Sequence, residues 1–392
     1  MIHANRSGIV WAILTGEYPP DPGGVSDYTA QVAHALAAGG DEVHVFAPPE
    51  KVDCADRRAG ARVVRLSDSF GPRGLAQLDA ELGRLPRRAR LLIQYVPQAF
   101  GYRAMNAALP AWVVAQAGMG RTIDVMFHEV AMPLTPGQPL RLNAMGLLHR
   151  AMAFAVGRSA DRIFVSTTWW IDMLRPLVGR ARPIELLPIP SNVPTVADGP
   201  GVASIRARHL AGDVRLLVGH FGTYSALATP LLRDALVTLL REQRDCGALL
   251  IGRGANRFVR EMFMSYDRIE GRAHALEDLS AIDVANHLAA CDVLVQPYPD
   301  GVTTRRSSVM AGLGLGVPVV ATRGPGTEPV WESSQGVILS ERSALEIASA
   351  ARTLLADSVV RRAVGRAGRE LYEREFRLEI SVERLRKAGS GA

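Results

Sequence analysis

The sequence predicts an α/β chain of two Rossmann-like domains, each a parallel sheet with crossover helices. Three observations carry that reading. At 392 residues the chain is about two and a half times the ~150-residue expectation for a single domain. Short apolar runs alternate with helical periodicity along most of its length, the pattern of parallel strands joined by helices. The rhythm breaks once, at LPIPSNVPTVADGP from Leu187 to Pro200, where repeated prolines remove the N–H groups a helix needs.

The elements follow in order. Apolar runs at residues 9–15, 42–46, 62–66, 90–95, 122–127, 162–166 and 184–187 read as the strands of the first domain. The first run, Ile9 to Leu14, follows Arg6 as a signal peptide would. It is short, however, and leads into Gly16-Glu17-Tyr18-Pro19-Pro20 rather than a small-residue cleavage site, so it reads as a buried strand. After the proline-rich break, strands are expected at residues 214–221, 248–251, around 269–273, 292–296, 318–321 and 336–339. The stretch from Val309 to Thr322 is uncharged but broken by glycines and a proline, and it falls short of the ~20 apolar residues of a spanning helix. From Arg342 onward the chain is helical and charged. These boundaries give a first domain at 1–190, a linker at 191–200, a second domain at 201–370 and a helical tail at 371–392.

Composition narrows the chemistry. With 48% hydrophobic and 21% charged residues, the chain has the apolar content to fill two cores and is not disordered. Its 45 Lys+Arg against 39 Asp+Glu suit an anionic ligand or a lipid surface without requiring nucleic acid. All basic residues except Lys51 and Lys387 are arginine, a planar and permanently charged phosphate donor. Cys54, Cys246 and Cys291 are odd in number and form no C-x-x-C pair, so no zinc site and no disulfide framework is expected, and a cytoplasmic setting fits.

In an open parallel sheet ligands bind outside the carboxyl ends of the strands, so the residues just after each strand matter most. Two such domains place one ligand cleft between them. Gly23 and Gly24 follow the first strand and open a helical pattern, where backbone N–H groups can approach an anion; an ordinary Gly-Pro loop is the alternative. His128 and Glu129 end an apolar strand, as a cleft-rim imidazole or as a hydrogen-bonded structural residue. Pro297 to Ser308 follows a strand and brings Arg305 and Arg306 to a helix start, an anion site unless they form a solvated face. Glu328 follows the next strand, as an acceptor for a hydroxyl such as that of a ribose or as part of a surface turn. Gly252-Arg253-Gly254 does not continue into G-x-G-x-x-G, and there is no G-x-x-x-x-G-K-[ST], no G-x-S-x-G and no D-x-D. A dehydrogenase, a P-loop enzyme, an α/β-hydrolase and a metal-bridged diphosphate site are thereby disfavoured.

With these pieces in hand, the chain resembles the family-four retaining glycosyltransferases of group 1 type, which have the GT-B architecture of two facing Rossmann-like domains. The resemblance rests on PPDPGGVSDYTAQVAHALAAGGDEVHVFAP, IQYVPQAFG and MFHE in the first half, and on IGRG, AACDVLVQPYPDG and GLGVPVVAT in the second. It implies transfer of a sugar from a UDP- or GDP-sugar to a hydroxyl of a glycan, lipid-linked or small-molecule acceptor. Anomeric configuration would be retained, with no metal and no cofactor beyond the donor co-substrate. The resemblance also implies a C-terminal tail that returns to the first, acceptor-side domain, while the second binds the nucleotide-sugar. By position, Gly23 and Gly24 resemble the family's contact to the donor diphosphate and His128 the residue beside the donor sugar. Gly222, Arg253, Gly271, Arg272 and Glu328 fall near its nucleotide pocket.

Two departures matter. Where the family carries an Arg and a Lys that grip the diphosphate, this chain has His220 and Ser225. Where it carries two glutamates separated by seven residues, this chain has Thr303 and Ala311. The expectation is therefore that Arg305 and Arg306 replace the missing cations and Asp300 takes the sugar-facing carboxylate role, since the departing diphosphate gathers negative charge. The alternatives are a catalytically silent nucleotide-sugar- or glycan-binding homologue and another GT-B enzyme such as a sugar-nucleotide epimerase. Arg84, Arg87, Arg88 and Arg90, and Arg141, His149, Arg150 and Arg158 along an apolar helical stretch, suggest peripheral association with an anionic membrane, against the alternative of a soluble basic face.

Overall fold

The computed structural model describes residues 8–50, 60–265, 269 and 271–387, so Arg6, Lys51 and Cys54 lie outside the described residues. The chain forms two compact units. One comprises Met1–Pro188 together with Leu378–Ala392, and the other Ile189–Arg377.

The first unit runs β1 (Val10–Thr15), α1 (Gly24–Ala38), β2 (Glu42–Ala47), β3 (Arg62–Arg65), α2 (Pro72–Gly83) and β4 (Arg90–Tyr95). It continues through α3 (Ala108–Gly118), β5 (Ile123–Phe127), α4 (Leu140–Ser159), β6 (Arg162–Val165), α5 (Trp169–Val178) and β7 (Ile184–Leu186). Its seven strands are ordered β3-β2-β1-β4-β5-β6-β7 and all pair in parallel. Every residue of β1, β4 and β5 is buried, which explains why these strands read as unbroken apolar runs rather than alternating ones. The order reverses beside β1, so the loops after β1 and β4 open the crevice where ligands bind in such sheets.

The second unit begins with α6 (Gly199–His209) and continues through β8 (Leu216–Phe221), α7 (Thr229–Glu242), β9 (Cys246–Ile251), α8 (Ala255–Ser265) and β10 (Ala273–Leu276). Then come α9 (Ala281–Ala290), β11 (Val293–Gln296), α10 (Ser307–Leu315), β12 (Val319–Thr322), α11 (Pro329–Ser333), β13 (Val337–Ser340), α12 (Ala344–Ala356) and α13 (Ser358–Glu375). The sheet order is β10-β9-β8-β11-β12-β13, again all parallel, with the reversal between β8 and β11.

The last described helix, α14 (Leu378–Lys387), belongs to the first unit and packs on α1. Arg386 donates to the Gly39 carbonyl and to Asp41 at 2.8 Å each, and Arg384 donates to the Leu186 carbonyl at 2.8 Å.

Strand positions in the sequence and in the structure coincide to within about two residues at each end, except at β10. The strand expected around residues 269–273 begins at Ala273 instead. Gly271 at φ +78° and the turn from Arg272 N–H to the Ile269 carbonyl keep the preceding residues out of the ladder.

Candidate functional site

In the first unit the carboxyl ends of β1, β4, β5 and β6 gather the residues of interest. His128 follows β5 directly and is buried. Its Nε2 donates to Oε1 of Gln94 on β4 at 2.7 Å, and the Tyr28 ring meets it edge-on at 5.1 Å. Burial pushes its pKa down to about 3, so at neutral pH it is an uncharged imidazole that orients and hydrogen-bonds rather than supplying a cation.

The double glycine behaves less simply than its sequence suggests. Oε1 of Glu17 accepts from the N–H groups of Val25 and Ser26 at 3.0 Å each, so a carboxylate of the chain itself caps α1. A Cβ on Gly23 would lie 2.3 Å from that oxygen, whereas one on Gly24 would meet nothing within 4 Å. Gly23 therefore makes room for the cap, and Gly24 leaves the backbone open to a ligand.

In the second unit, Asp300 is held between both arginines. Its carboxylate lies 2.5 Å from Nη2 of Arg306 and 3.3 Å from Nη2 of Arg305. The Arg306 guanidinium also stands 4.3 Å over the Tyr298 ring, and its Nε is buried with no hydrogen-bond partner among the described residues. Two cations flank the Asp300 carboxylate directly before α10, and the Glu328 carboxylate lies beside them on Thr304. Asp300 thus braces both guanidiniums. The loop is tied down by Tyr298 N–H to Oγ1 of Thr322 at 2.7 Å and by Gly326 N–H to the Asp300 carbonyl at 2.8 Å. Gly301, at φ +88°, admits no side chain because a Cβ would lie 2.6 Å from the Gly324 nitrogen.

Other expected site residues have partners within the chain. Glu328 is only 2% exposed, and its carboxylate accepts from the Thr304 N–H at 2.5 Å, the Thr304 hydroxyl at 2.6 Å and the Trp331 indole at 2.9 Å. It anchors the arginine loop to α11 rather than offering an acceptor to a ribose. Gly271 and Arg272 precede β10, at the amino edge of the sheet, because that strand starts later than the apolar pattern suggested. Arg272 there donates to the carbonyls of Leu240, Gln243, Arg244 and Cys246 at 2.7–3.2 Å, closing the turn between α7 and β9.

His220, which stands where the family has a cation, is buried. Its Nδ1 donates to the Val295 carbonyl at 2.8 Å, and burial brings its pKa down to about 4, so it cannot replace that charge. Ala311 lies in the apolar core of the unit, where a glutamate would be an unpaired buried charge.

The sequence reading missed a cavity of about 590 Å³ at the carboxyl ends of β8, β9 and β10. Tyr224, Arg253, Asn256, Arg257, Arg260 and Glu277 line it. Glu277 accepts from the N–H groups of Gly254 and Asn256 at 2.9 Å each, and these bonds hold its pKa below the ordinary carboxylate value. Gly222 and Gly252 let the two neighbouring loops touch, since a Cβ on Gly252 would lie 2.2 Å from the Gly222 carbonyl oxygen. The Tyr224 hydroxyl is buried without a partner among the described residues. A signal for two of the arginines was present: Arg257 and Arg260 are three residues apart on α8 and share one helical face.

Comparison with known proteins agrees with this geometry. The model of the Glycosyl transferase 4-like domain matches residues 23–190, and that of Glycosyl transferases group 1 matches residues 213–357. The chain is 25% identical, over 95% of its length and 96% of the relative's, to a GDP-mannose-dependent alpha-(1-6)-phosphatidylinositol monomannoside mannosyltransferase of Mycobacterium tuberculosis. Its fold is that of the sucrose-phosphate synthase of Thermosynechococcus elongatus, with TM-score 0.75, 18% identity and coverage of 97% and 98% of the two chains. It is also that of Anabaena HepE solved with UDP-glucose, with TM-score 0.70, 17% identity and coverage of 97% and 99%. With one glycosyltransferase domain matched in each half and two parallel sheets of this order, the chain belongs to the group 1 glycosyltransferases of the GT-B fold.

Proposed function

We propose that this glycosyltransferase moves a hexosyl group from a nucleoside diphosphate sugar to a hydroxyl of a lipid-linked glycan acceptor, with retention of anomeric configuration and without a metal. GDP-mannose is the first donor to test, because the Mycobacterium relative is described as GDP-mannose-dependent. The observation that carries the reading is the Arg305–Asp300–Arg306 cluster at the start of α10, whose guanidiniums are fixed before any ligand arrives. Prepositioned cations stabilise a transition state in which charge builds on the leaving diphosphate, and these do so where a metal ion would otherwise balance it.

In this reading the bond from the sugar C1 to the diphosphate oxygen breaks as the acceptor oxygen forms its bond to C1 on the same face. The acceptor's proton passes to the departing phosphate, so no protein nucleophile is needed. The second unit binds the donor through Arg305, Arg306 and the cavity residue Arg253, with Gly222 in the neighbouring turn. In the first unit we assign orientation of a sugar to the neutral imidazole of His128 and ligand approach to the backbone at Gly24.

The test is incubation with GDP-mannose, UDP-glucose and UDP-N-acetylglucosamine plus phosphatidylinositol mannoside, following nucleotide release, product anomer and the effect of a chelator. Acceptor-dependent release of one nucleotide with a retained product is expected. Nucleotide binding without release across all three donors would favour the silent homologue, and an epimer formed without acceptor would favour the epimerase.

A further inference from the structure

We infer that a basic cavity along α13 is a docking site for an extended acidic segment of a partner protein. The cavity measures about 910 Å³, and Arg362, Arg366, Arg369, Arg374 and Arg377 line it together with Gly316. Positions 362, 366, 369, 373 and 377 are three or four residues apart, so one face of α13 carries the row and continues it just past the helix end. At 1.5 Å per residue the row is about 20 Å long. Gly316 follows α10 and precedes β12, which places the cavity at the amino edge of the sheet. Arg305 and Arg306 stand at the other end of α10, about 13 Å away along its axis.

The helix that presents the row is fixed from behind. A Cβ on Gly365 would lie 2.2 Å from the Gly316 carbonyl oxygen, and one on Gly368 would lie 3.0 Å from that of Gly336, so glycines let α13 press onto the neighbouring turns. Val364, Leu371 and Tyr372 are buried. All five arginines are exposed. Arg374 lies 3.1 Å from Glu375 and Arg369 lies 3.8 Å from Glu373. The guanidiniums of Arg366 and Arg377 have no hydrogen bond or ion pair among the described residues. Against the five cations, the lining holds two carboxylates, Glu370 and Glu373, so its balance is positive.

Spacing and composition select the occupant. An extended peptide puts every second side chain on one face, about 6.7 Å apart. Successive arginines of the row stand about 4.5–7.5 Å apart along the helix axis, so acids at alternate positions meet one arginine each. Glu370 and Glu373 sit inside the row and need donors, which a peptide backbone supplies through its N–H groups and an oligophosphate lacks. Among the described lining residues no aromatic ring offers a base a stacking platform. A second copy does not fit. Two α13 helices set antiparallel about a two-fold axis near Glu370 would place Arg366 against Arg374 and Arg362 beside Arg377. Nowhere in the chain do three acidic residues stand at alternate positions, so the complementary segment belongs to another protein.

The inference holds whichever sugar and acceptor the enzyme joins. Loss of peptide binding with nucleotide release intact would leave the proposed activity standing. The test is fluorescence anisotropy of the full chain with a labelled peptide of about ten residues that alternates glutamate and serine. A peptide of the same composition with its glutamates in one block is compared, and tripolyphosphate is used as competitor. Wild type should bind the alternating peptide at least about fivefold tighter than the block peptide. Arg366→Ala/Arg377→Ala should bind it about tenfold more weakly, with the difference shrinking in high salt. Arg87→Ala/Arg88→Ala, at exposed arginines of the first unit, should bind as wild type does. Thermal unfolding verifies that each variant is folded, and Arg362→Ala supplies a second variant of the row. No binding by wild type overturns the inference, as do equal binding of the block peptide, equal binding by the folded row variants and an equal loss in the first-unit variant. Displacement of the peptide by tripolyphosphate at lower concentration than by unlabelled peptide would overturn it in favour of a phosphate ligand. A wild-type dimer that Arg366→Ala/Arg377→Ala turns into a monomer would overturn it by making the row a contact between two copies.

Discussion

Replacing Arg306 by alanine removes a cation that both an aromatic ring and a carboxylate hold at the start of α10. Its guanidinium is fixed by the Tyr298 ring at 4.3 Å and by Asp300 at 2.5 Å, so it needs little reorganisation as a diphosphate departs. Without it, Arg305 remains paired with Asp300 and the loop loses one unit of positive charge. At an effective dielectric near 20, a unit charge about 4 Å from the leaving group is worth roughly 4 kcal/mol. Loss of one aligned transition-state donor is measured at about 2.7–4 kcal/mol, so kcat/KM should fall by about a hundredfold or more. Arg306→Lys restores charge but not the planar fork over the ring and should recover only part of the loss. Arg305→Ala should show a loss of similar size. The assay is steady-state nucleotide release at varied donor concentration, with thermal unfolding to verify that each variant is folded. Near-normal turnover in both single variants and in the double variant would refute the reasoning.

Three other outcomes are expected. His128 and His220 have folded-state pKa values depressed to about 3 and about 4 from 6.5, so their contribution to stability is complete above pH 6.5 and is lost as pH falls through the acid range. At pH 5 each should account for roughly 2 kcal/mol of lost stability by urea titration; a profile no flatter in folded His220→Gln would contradict this. Glu328→Ala leaves two Thr304 donors and the Trp331 indole without their acceptor and should destabilise by about 3 kcal/mol or more, read as a lower urea midpoint. Gly24→Ala should fold normally, because its Cβ meets nothing, yet raise the donor KM by about tenfold by blocking approach to the backbone; an unchanged KM would remove Gly24 from the donor site.

The fold was legible because every sheet here is parallel and covered by helices. Buried strands such as β1 and β4 then appear as continuous apolar words, and the proline run near residue 188 marks where the second unit begins. The candidate site was legible only in part. Residue type and position after a strand nominated His128, Gly24 and the two arginines as candidates. Pattern alone gave no sign that Glu17 reaches back to cap α1 or that Glu328 turns inward onto Thr304 and Trp331, because each depends on side-chain direction. At β10, Ile269 suggested a strand where Gly271 makes a turn, and this displaced Gly271 and Arg272 to the wrong end of the sheet. The arginines of α8 were visible as a spacing but lacked meaning until the cavity beside them was known.

Because α14 completes the first unit, the second unit is in effect an insertion within it. A ribosome synthesising this chain delivers every strand of the first sheet early, but the cations that meet Asp41 and the Leu186 carbonyl arrive only after the whole of residues 189–377. The inserted unit can finish folding first, while its host waits for its final helix. Termination just before Leu378 would therefore damage the half of the protein made first, leaving the half made later with all its elements.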